Sequence, residues 1–146
     1  MRKIAGFSLA FILSGLSFAC LALPDIKIFS PTSYSEILHQ NEDKEFTLVF
    51  WSLICSPCLK ELQTISNNKL YAGSKFIFVS IDGNDLRADV TKMIRRLKLE
   101  SAEHWIFDSR KIDEIITSVD ENWYGEVPRN YYFDYEHNRT RLRKIE

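Results

Sequence analysis

FTLVFWSLICSPC, residues 46–58, joins an apolar run to two closely spaced cysteines. Phe46–Trp51 is apolar on both faces, which predicts a buried strand at the centre of a sheet. Pro57 suits the first turn of a helix, so the pattern predicts a helix that begins at the cysteines. The N–H groups and partial positive charge of a helix N-terminus would favour the thiolate form of Cys55. Cys58 follows about one turn later.

The cysteine pair has three interpretations. A zinc site needs two further ligands, but Cys20 is the only other cysteine, and the three histidines are scattered and predicted to lie at the surface. A purely structural disulfide would close a very short loop and gain little stability. The pattern favours redox chemistry, with Cys55 as nucleophile and Cys58 as the thiol that resolves the mixed disulfide. No metal and no cofactor are expected.

The N-terminus predicts export. A basic start, Met1–Lys3, precedes an uncharged apolar run to Leu23, which is the pattern of a secretory signal. Cleavage before Cys20 or Leu23, lipidation of Cys20, and retention as a membrane anchor remain alternatives. We therefore predict a signal peptide or N-terminal membrane anchor over residues 1–22 and one domain over residues 23–146, located in the periplasm or another extracytoplasmic compartment. Such compartments tend to oxidise dithiols.

Charge and size exclude several classes of protein. The chain has 146 residues, with 19 basic and 20 acidic residues and a net charge of −1. It is long enough for one domain with a core and too short for two. There is no basic excess to indicate nucleic-acid binding. The basic residues near the C-terminus alternate along the chain, as on an exposed edge strand that charges protect from pairing.

Strand and helix patterns alternate along the remaining chain. In order, they predict a strand over Phe46–Trp51, a helix from Pro57, a strand over Phe76–Ile81, a helix over Leu86–Leu97, a short strand over Trp105–Phe107, a helix over Ile112–Val119, and a hairpin of Asn130–Tyr135 and Thr140–Ile145. A turn with a capping acid is expected over Asp82–Asp85. Alternation predicts parallel strands, and the hairpin adds antiparallel ones. The fold class is therefore α/β, with a mixed central sheet and helices on both faces.

These features resemble the thioredoxin superfamily, and within it the exported TlpA/ResA/CcmG-like thiol–disulfide oxidoreductases. Trp51 lies four residues before Cys55, and Glu61 lies three residues after the second cysteine of a Cys-x-Pro-Cys motif. Val127–Pro128 precedes a predicted strand, where the family has its cis-proline loop. The resemblance covers roughly Phe46–Ile145.

The sequence departs from the family pattern at two positions. Ile54 stands where the family usually has Trp before the first cysteine. Val49 stands where thioredoxin has a buried acid, which argues against a plain cytosolic thioredoxin. Glu61 is the candidate to supply the missing proton transfer, and the alternative for Glu61 is a solvated surface carboxylate.

The resemblance implies a thioredoxin fold and an enzyme that exchanges disulfides with protein thiols or disulfides of the cell envelope. We expect a reductase, with a membrane protein as a candidate electron donor. Cys55, Cys58 and Glu61 are the expected catalytic residues. The expected substrate-binding residues are Trp51, Ser56, Pro57, Val127 and a cis Pro128. The alternatives are a Dsb-type oxidant or isomerase, and a redox-inactive binding or copper-handling module.

Overall fold

The chain forms one mixed sheet flanked by four helices. This computed structural model describes residues 24–145, so the predicted export segment lies outside the described residues. The strands are β1 Ile26–Phe29, β2 Phe46–Trp51, β3 Phe76–Gly83, β4 Glu103–Phe107, β5 Arg129–Phe133 and β6 Arg139–Leu142; the helices are α1 Ser33–Gln40, α2 Ser56–Asn67, α3 Arg87–Arg96 and α4 Ile112–Val119. Within residues 24–145, no helix is long and apolar enough to cross a membrane.

The sheet has the strand order β1-β4-β3-β2-β5-β6. The first four strands in this order run parallel, whereas β5 is antiparallel to β2 and β6 is antiparallel to β5. All six residues of β2 are buried, because β2 has a neighbour on each side and helices over both faces. The predicted mixed sheet, central strand and basic edge strand are confirmed, but β6 ends at Leu142 and does not reach Ile145 as predicted.

Two apolar cores cover the two faces of the sheet. On one face, Ile37 of α1 and Ile115 of α4 pack with Phe50 of β2. On the other face, Leu62 of α2 and Ile94 of α3 belong to the same cluster as Val49 and Trp51 of β2. Each fully buried apolar side chain contributes about 1.5–3 kcal/mol to stability. Helices therefore flank both faces, as the sequence predicts, and β2 delivers its C-terminal end to the cysteines.

Two expectations about polar residues are wrong. Asp82 does not sit in a turn, because β3 continues to Gly83 and only Asn84–Leu86 turns, as a short 3-10 helix. His104 is not a surface residue: it is buried in β4, and its ring Nε2 lies 2.8 Å from the carbonyl oxygen of Leu99. Burial lowers the pKa of His104, which keeps the ring neutral and suited to the core.

Candidate active site

Cys55 and Cys58 form a disulfide at the N-terminus of α2. Cys55 is the N-cap residue, and its Sγ accepts a hydrogen bond from the backbone N–H of Cys58 at 3.2 Å. Pro57 lies in the first turn, as predicted. Cys58 is 0% exposed, whereas Cys55 is only partly buried. One sulfur is therefore open to attack from outside, and the other is enclosed by the core.

The loop between β2 and α2 is held by a carboxylate from β3. Asp82 accepts hydrogen bonds from the Ser52 hydroxyl at 2.8 Å, the Leu53 N–H at 2.9 Å and the Ser80 hydroxyl at 2.7 Å. Two of these donors, Ser52 and Leu53, lie just before the first cysteine, so the carboxylate fixes this part of the chain. Ile54 is left 93% exposed at the tip of this loop. An apolar side chain therefore stands next to Cys55 in the sequence and faces solvent.

The Val127–Pro128 peptide bond is cis, as the resemblance predicts. The loop before it is shaped by the Trp123 indole N–H, which donates to the Glu126 carbonyl at 2.9 Å. Gly125 has φ +86°, a conformation that glycine adopts without strain. Pro128 and Pro57 line the same cleft. The proline loop and the cysteine helix therefore meet, although they are far apart in the sequence.

Glu61 lies inside the protein, one turn after Cys58 on α2. It is 6% exposed, so the alternative of a solvated surface carboxylate is wrong. The Asn130 side-chain amide donates to its Oε2 at 2.9 Å, and the Ile145 N–H donates to its Oε1 at 3.4 Å. Asn130 is fully buried, and its Oδ1 has no hydrogen-bond partner within residues 24–145. Residues three apart on a helix share a face, so Glu61 and Cys58 are directed to the same side.

The remaining predicted site residues divide by depth. Trp51 is buried and belongs to the core cluster that contains Cys58, so it supports the site from beneath. Ser56 and Pro57 are exposed on the first turn of α2, and Val127 is partly buried. The exposed surface next to the cysteines therefore includes the start of α2 and the proline loop.

Sequence reasoning missed a charged network directly behind the cis-proline. Arg129 is 2% exposed and binds Asp120 at 2.7 Å, the Tyr131 hydroxyl at 2.6 Å, and Glu126. The Tyr131 hydroxyl donates to Asp120 at 2.8 Å. This network ties the start of β5 to the end of α4 and to the proline loop. The sequence feature that could have predicted it is Arg129, a single charged residue directly after Val127–Pro128 in an otherwise uncharged, aromatic strand.

Asp120 makes the network sensitive to acid. Hydrogen bonds from the Asn122 N–H, Tyr131 and Arg129 lower the pKa of Asp120 from 3.8 to about 2. The contribution of Asp120 to stability is therefore complete above its unfolded-state pKa and is lost as the pH falls from 3.8 toward about 2.

We expect the free energy of unfolding, measured with urea, to fall less steeply between pH 5 and pH 2 in Asp120→Asn than in wild type. Exposed Asp113→Asn is the control, and equal slopes in all three proteins would contradict the assignment.

Metal-ligating side chains are not clustered in the described part of the chain. Within residues 24–145, no three His, Cys, Asp or Glu residues are grouped so as to hold a metal ion.

The chain has the thioredoxin fold, in agreement with the prediction. The thioredoxin domain of a thiol-disulfide oxidoreductase from Bacteroides vulgatus matches it with a TM-score of 0.57 at 20% identity, over 74% of this chain and 76% of that one. A secreted disulfide oxidoreductase of Mycobacterium tuberculosis, homologous to E. coli DsbE, matches with a TM-score of 0.56 at 14% identity, over 73% of this chain and 74% of that one. A thioredoxin family thiol:disulfide interchange protein from Chlorobium tepidum matches with a TM-score of 0.56 at 15% identity, over 75% of each chain. No protein-family model and no curated protein matches the sequence.

Proposed function

We propose that this protein is an exported thiol–disulfide oxidoreductase that acts as a reductase on proteins of the cell envelope. The observation that carries the proposal is the Cys55–Cys58 disulfide at the N-terminus of α2, with one sulfur partly exposed and the other buried. The cis Val127–Pro128 bond on the neighbouring loop supports it, because the backbone there offers an edge on which a substrate strand can pair.

The reaction has two displacements. In the reduced protein, the Cys55 thiolate attacks one sulfur of a substrate disulfide, a Cys55–substrate disulfide forms, and the other substrate sulfur leaves as a thiolate. Cys58 then loses its proton and attacks Cys55 Sγ, which forms the Cys55–Cys58 disulfide and releases the second substrate sulfur. Two electrons pass from the protein to the substrate. A further dithiol, for which a membrane protein is the candidate, reduces the Cys55–Cys58 bond to complete the cycle.

Glu61 is proposed as the base that accepts the proton of Cys58. A buried thiol resists ionisation, so the second displacement needs a nearby base, whereas the first starts from a thiolate at a helix terminus. The position of Glu61 one turn from Cys58, with both oxygens held by donors, supports this role.

We therefore expect Glu61→Gln to slow resolution of the mixed disulfide on the order of 10²-fold near neutral pH, and to leave its formation unchanged. Rapid quenching by alkylation, followed by mass measurement across pH 5–9, separates the two steps. Glu114→Gln removes an exposed carboxylate from α4 and is the matched control. A pH profile for resolution identical to that of wild type would remove Glu61 from the mechanism.

The activity itself is tested with oxidised glutathione. The reduced protein should pass through a transient glutathione adduct on Cys55 and end as the intramolecular disulfide. Both species are resolved by acid quenching and mass measurement. An exchange rate no higher than that of a cysteine in an unstructured peptide would contradict the proposed function.

The proposed location rests on the N-terminal sequence and on the chemistry of the site. Residues 1–22 have the pattern of an export signal or anchor, and a dithiol that needs active reduction suits an oxidising compartment. Cell fractionation of the full chain, with mass measurement of its N-terminus, distinguishes cleavage, lipidation of Cys20 and a retained anchor. Recovery of the intact, unmodified chain from the cytosol would contradict export.

A further inference from the structure

A small basic cleft opens beside the first turns of α2, the helix that begins at the cysteines. Its volume is about 260 Å³, and Pro57 of α2 and Pro128 of the proline loop lie on its wall. The three basic residues that line it are Lys60, Arg143 and Lys144. The cleft therefore lies between the active-site helix and the segment that follows β6, and it borders both prolines of the site.

Among the described residues, the cleft is lined by more basic than acidic side chains. Within residues 24–145, Glu61 is the only acidic residue on its wall, and its side chain is buried and accepts hydrogen bonds from Asn130 and Ile145. Lys60 and Arg143 are exposed, and neither forms an ion pair within residues 24–145.

Two other basic residues near the C-terminus, Arg139 and Arg141, lie close to acidic side chains. Arg139 lies near Asp120 at 3.8 Å, and Arg141 lies near Glu126 at 3.5 Å. Their charges are therefore matched by acidic groups of the protein. Arg143 follows β6 and lines the cleft, and within residues 24–145 it has no acidic partner of this kind.

We propose that the cleft binds an acidic segment of the substrate polypeptide, next to the cysteine that Cys55 attacks. This inference rests on the proposed function and names a class of substrate for it. Lys60 is five residues after Cys55, which is about 7.5 Å along a helix axis. An extended chain rises about 3.3 Å per residue, so an Asp or Glu two or three residues from the target cysteine reaches the cleft.

Three peptides test the proposal. Each peptide has a single cysteine, and the second and third residues on both sides of it are all Glu, all Gln or all Lys. Each peptide is used as a disulfide-linked homodimer, so that the two sulfurs of the disulfide are equivalent. Reduced full-length protein is mixed with each dimer, and the rate is divided by that of the same dimer with dithiothreitol. At about 20 mM salt we expect the Glu peptide to react threefold to tenfold faster than the Lys peptide. A rate ratio of this size is what the attraction between a few close charges in water would produce. At about 0.5 M salt the difference should shrink below about twofold.

Charge reversal identifies the cleft as the source. Lys60→Glu combined with Arg143→Glu should remove or invert the preference for Glu. Arg95→Glu combined with Arg96→Glu makes the same change in net charge on exposed positions of α3 and should preserve the preference.

The outcomes separate this inference from the proposed function. If no dimer reacts faster with the protein than with an unstructured cysteine peptide, the proposed function itself fails. If all three dimers react quickly at equal normalised rates, or if a preference survives Lys60→Glu with Arg143→Glu, only the acidic-substrate inference is overturned. Binding of phosphatidylglycerol vesicles that these substitutions abolish, without any peptide preference, would assign the cleft to a membrane surface and would also overturn it.

Discussion

Replacement of Cys55 by serine is expected to abolish exchange, whereas replacement of Cys58 by serine is expected to stop it halfway. The asymmetry follows from burial, because Cys58 is fully enclosed and Cys55 is partly exposed at the helix terminus. Without Cys55 no nucleophile meets the substrate. Without Cys58 the mixed disulfide forms and nothing inside the protein resolves it.

Non-reducing electrophoresis and mass measurement distinguish the two variants. After incubation with a peptide disulfide, Cys58→Ser should accumulate a covalent adduct on Cys55, and Cys55→Ser should accumulate none above background. The two variants control for each other, since each retains one of the two thiols. Equal adduct yields would contradict the assignment of nucleophile and resolving thiol.

Arg129→Met is expected to destabilise the protein by about 3 kcal/mol, although Met matches the apolar body of Arg. Removing one member of a buried ion pair leaves the other charge buried without a partner. The resulting loss in the free energy of unfolding is larger than the net contribution of the intact pair. Asp120 would lose its 2.7 Å partner, and Tyr131 would lose the donor to its hydroxyl. The proline loop would also lose the contact between its Glu126 carboxylate and Arg129.

Urea unfolding at neutral pH measures this change in the free energy of unfolding. Arg141→Met is the control, because Arg141 lies on the neighbouring strand with an exposed side chain, and surface pairs of this kind contribute about 0–1 kcal/mol. Adding Asp120→Asn to Arg129→Met should recover part of the loss, which identifies the uncompensated carboxylate as its cause. A cost for Arg129→Met no larger than that for Arg141→Met would contradict the structural role of the network.

The cysteine helix and the central strand were predictable because their signals are local. The apolar run Phe46–Trp51 and the Cys-x-Pro-Cys motif each lie within a few residues, and hydrophobic pattern and proline position determine their structure. The cis bond at Pro128 is different, since the local sequence does not predict it and the family resemblance does.

The polar partners of the site were not predictable, because each one comes from a distant part of the chain. Asp82 holds Ser52 across 30 residues, and Asn130 holds Glu61 across 69 residues. Such pairs depend on the register between strands and on which helix packs over them, and a single sequence carries no signal for either. Burial of His104 follows from its place in the sheet between Ile26 of β1 and Phe78 of β3, which outweighs the general preference of histidine for partly exposed positions.

The central claim is that Cys55 and Cys58 cycle between a dithiol and a disulfide. The most direct test is equilibration of the protein in glutathione or dithiothreitol buffers of graded potential, with the redox state read by thiol alkylation and mass. The account predicts a reversible two-electron transition that involves only this pair. A reductase role predicts a potential near the roughly −270 mV of thioredoxin, and a value near the roughly −120 mV of DsbA would indicate an oxidant instead. A pair that never interconverts reversibly would contradict the claim.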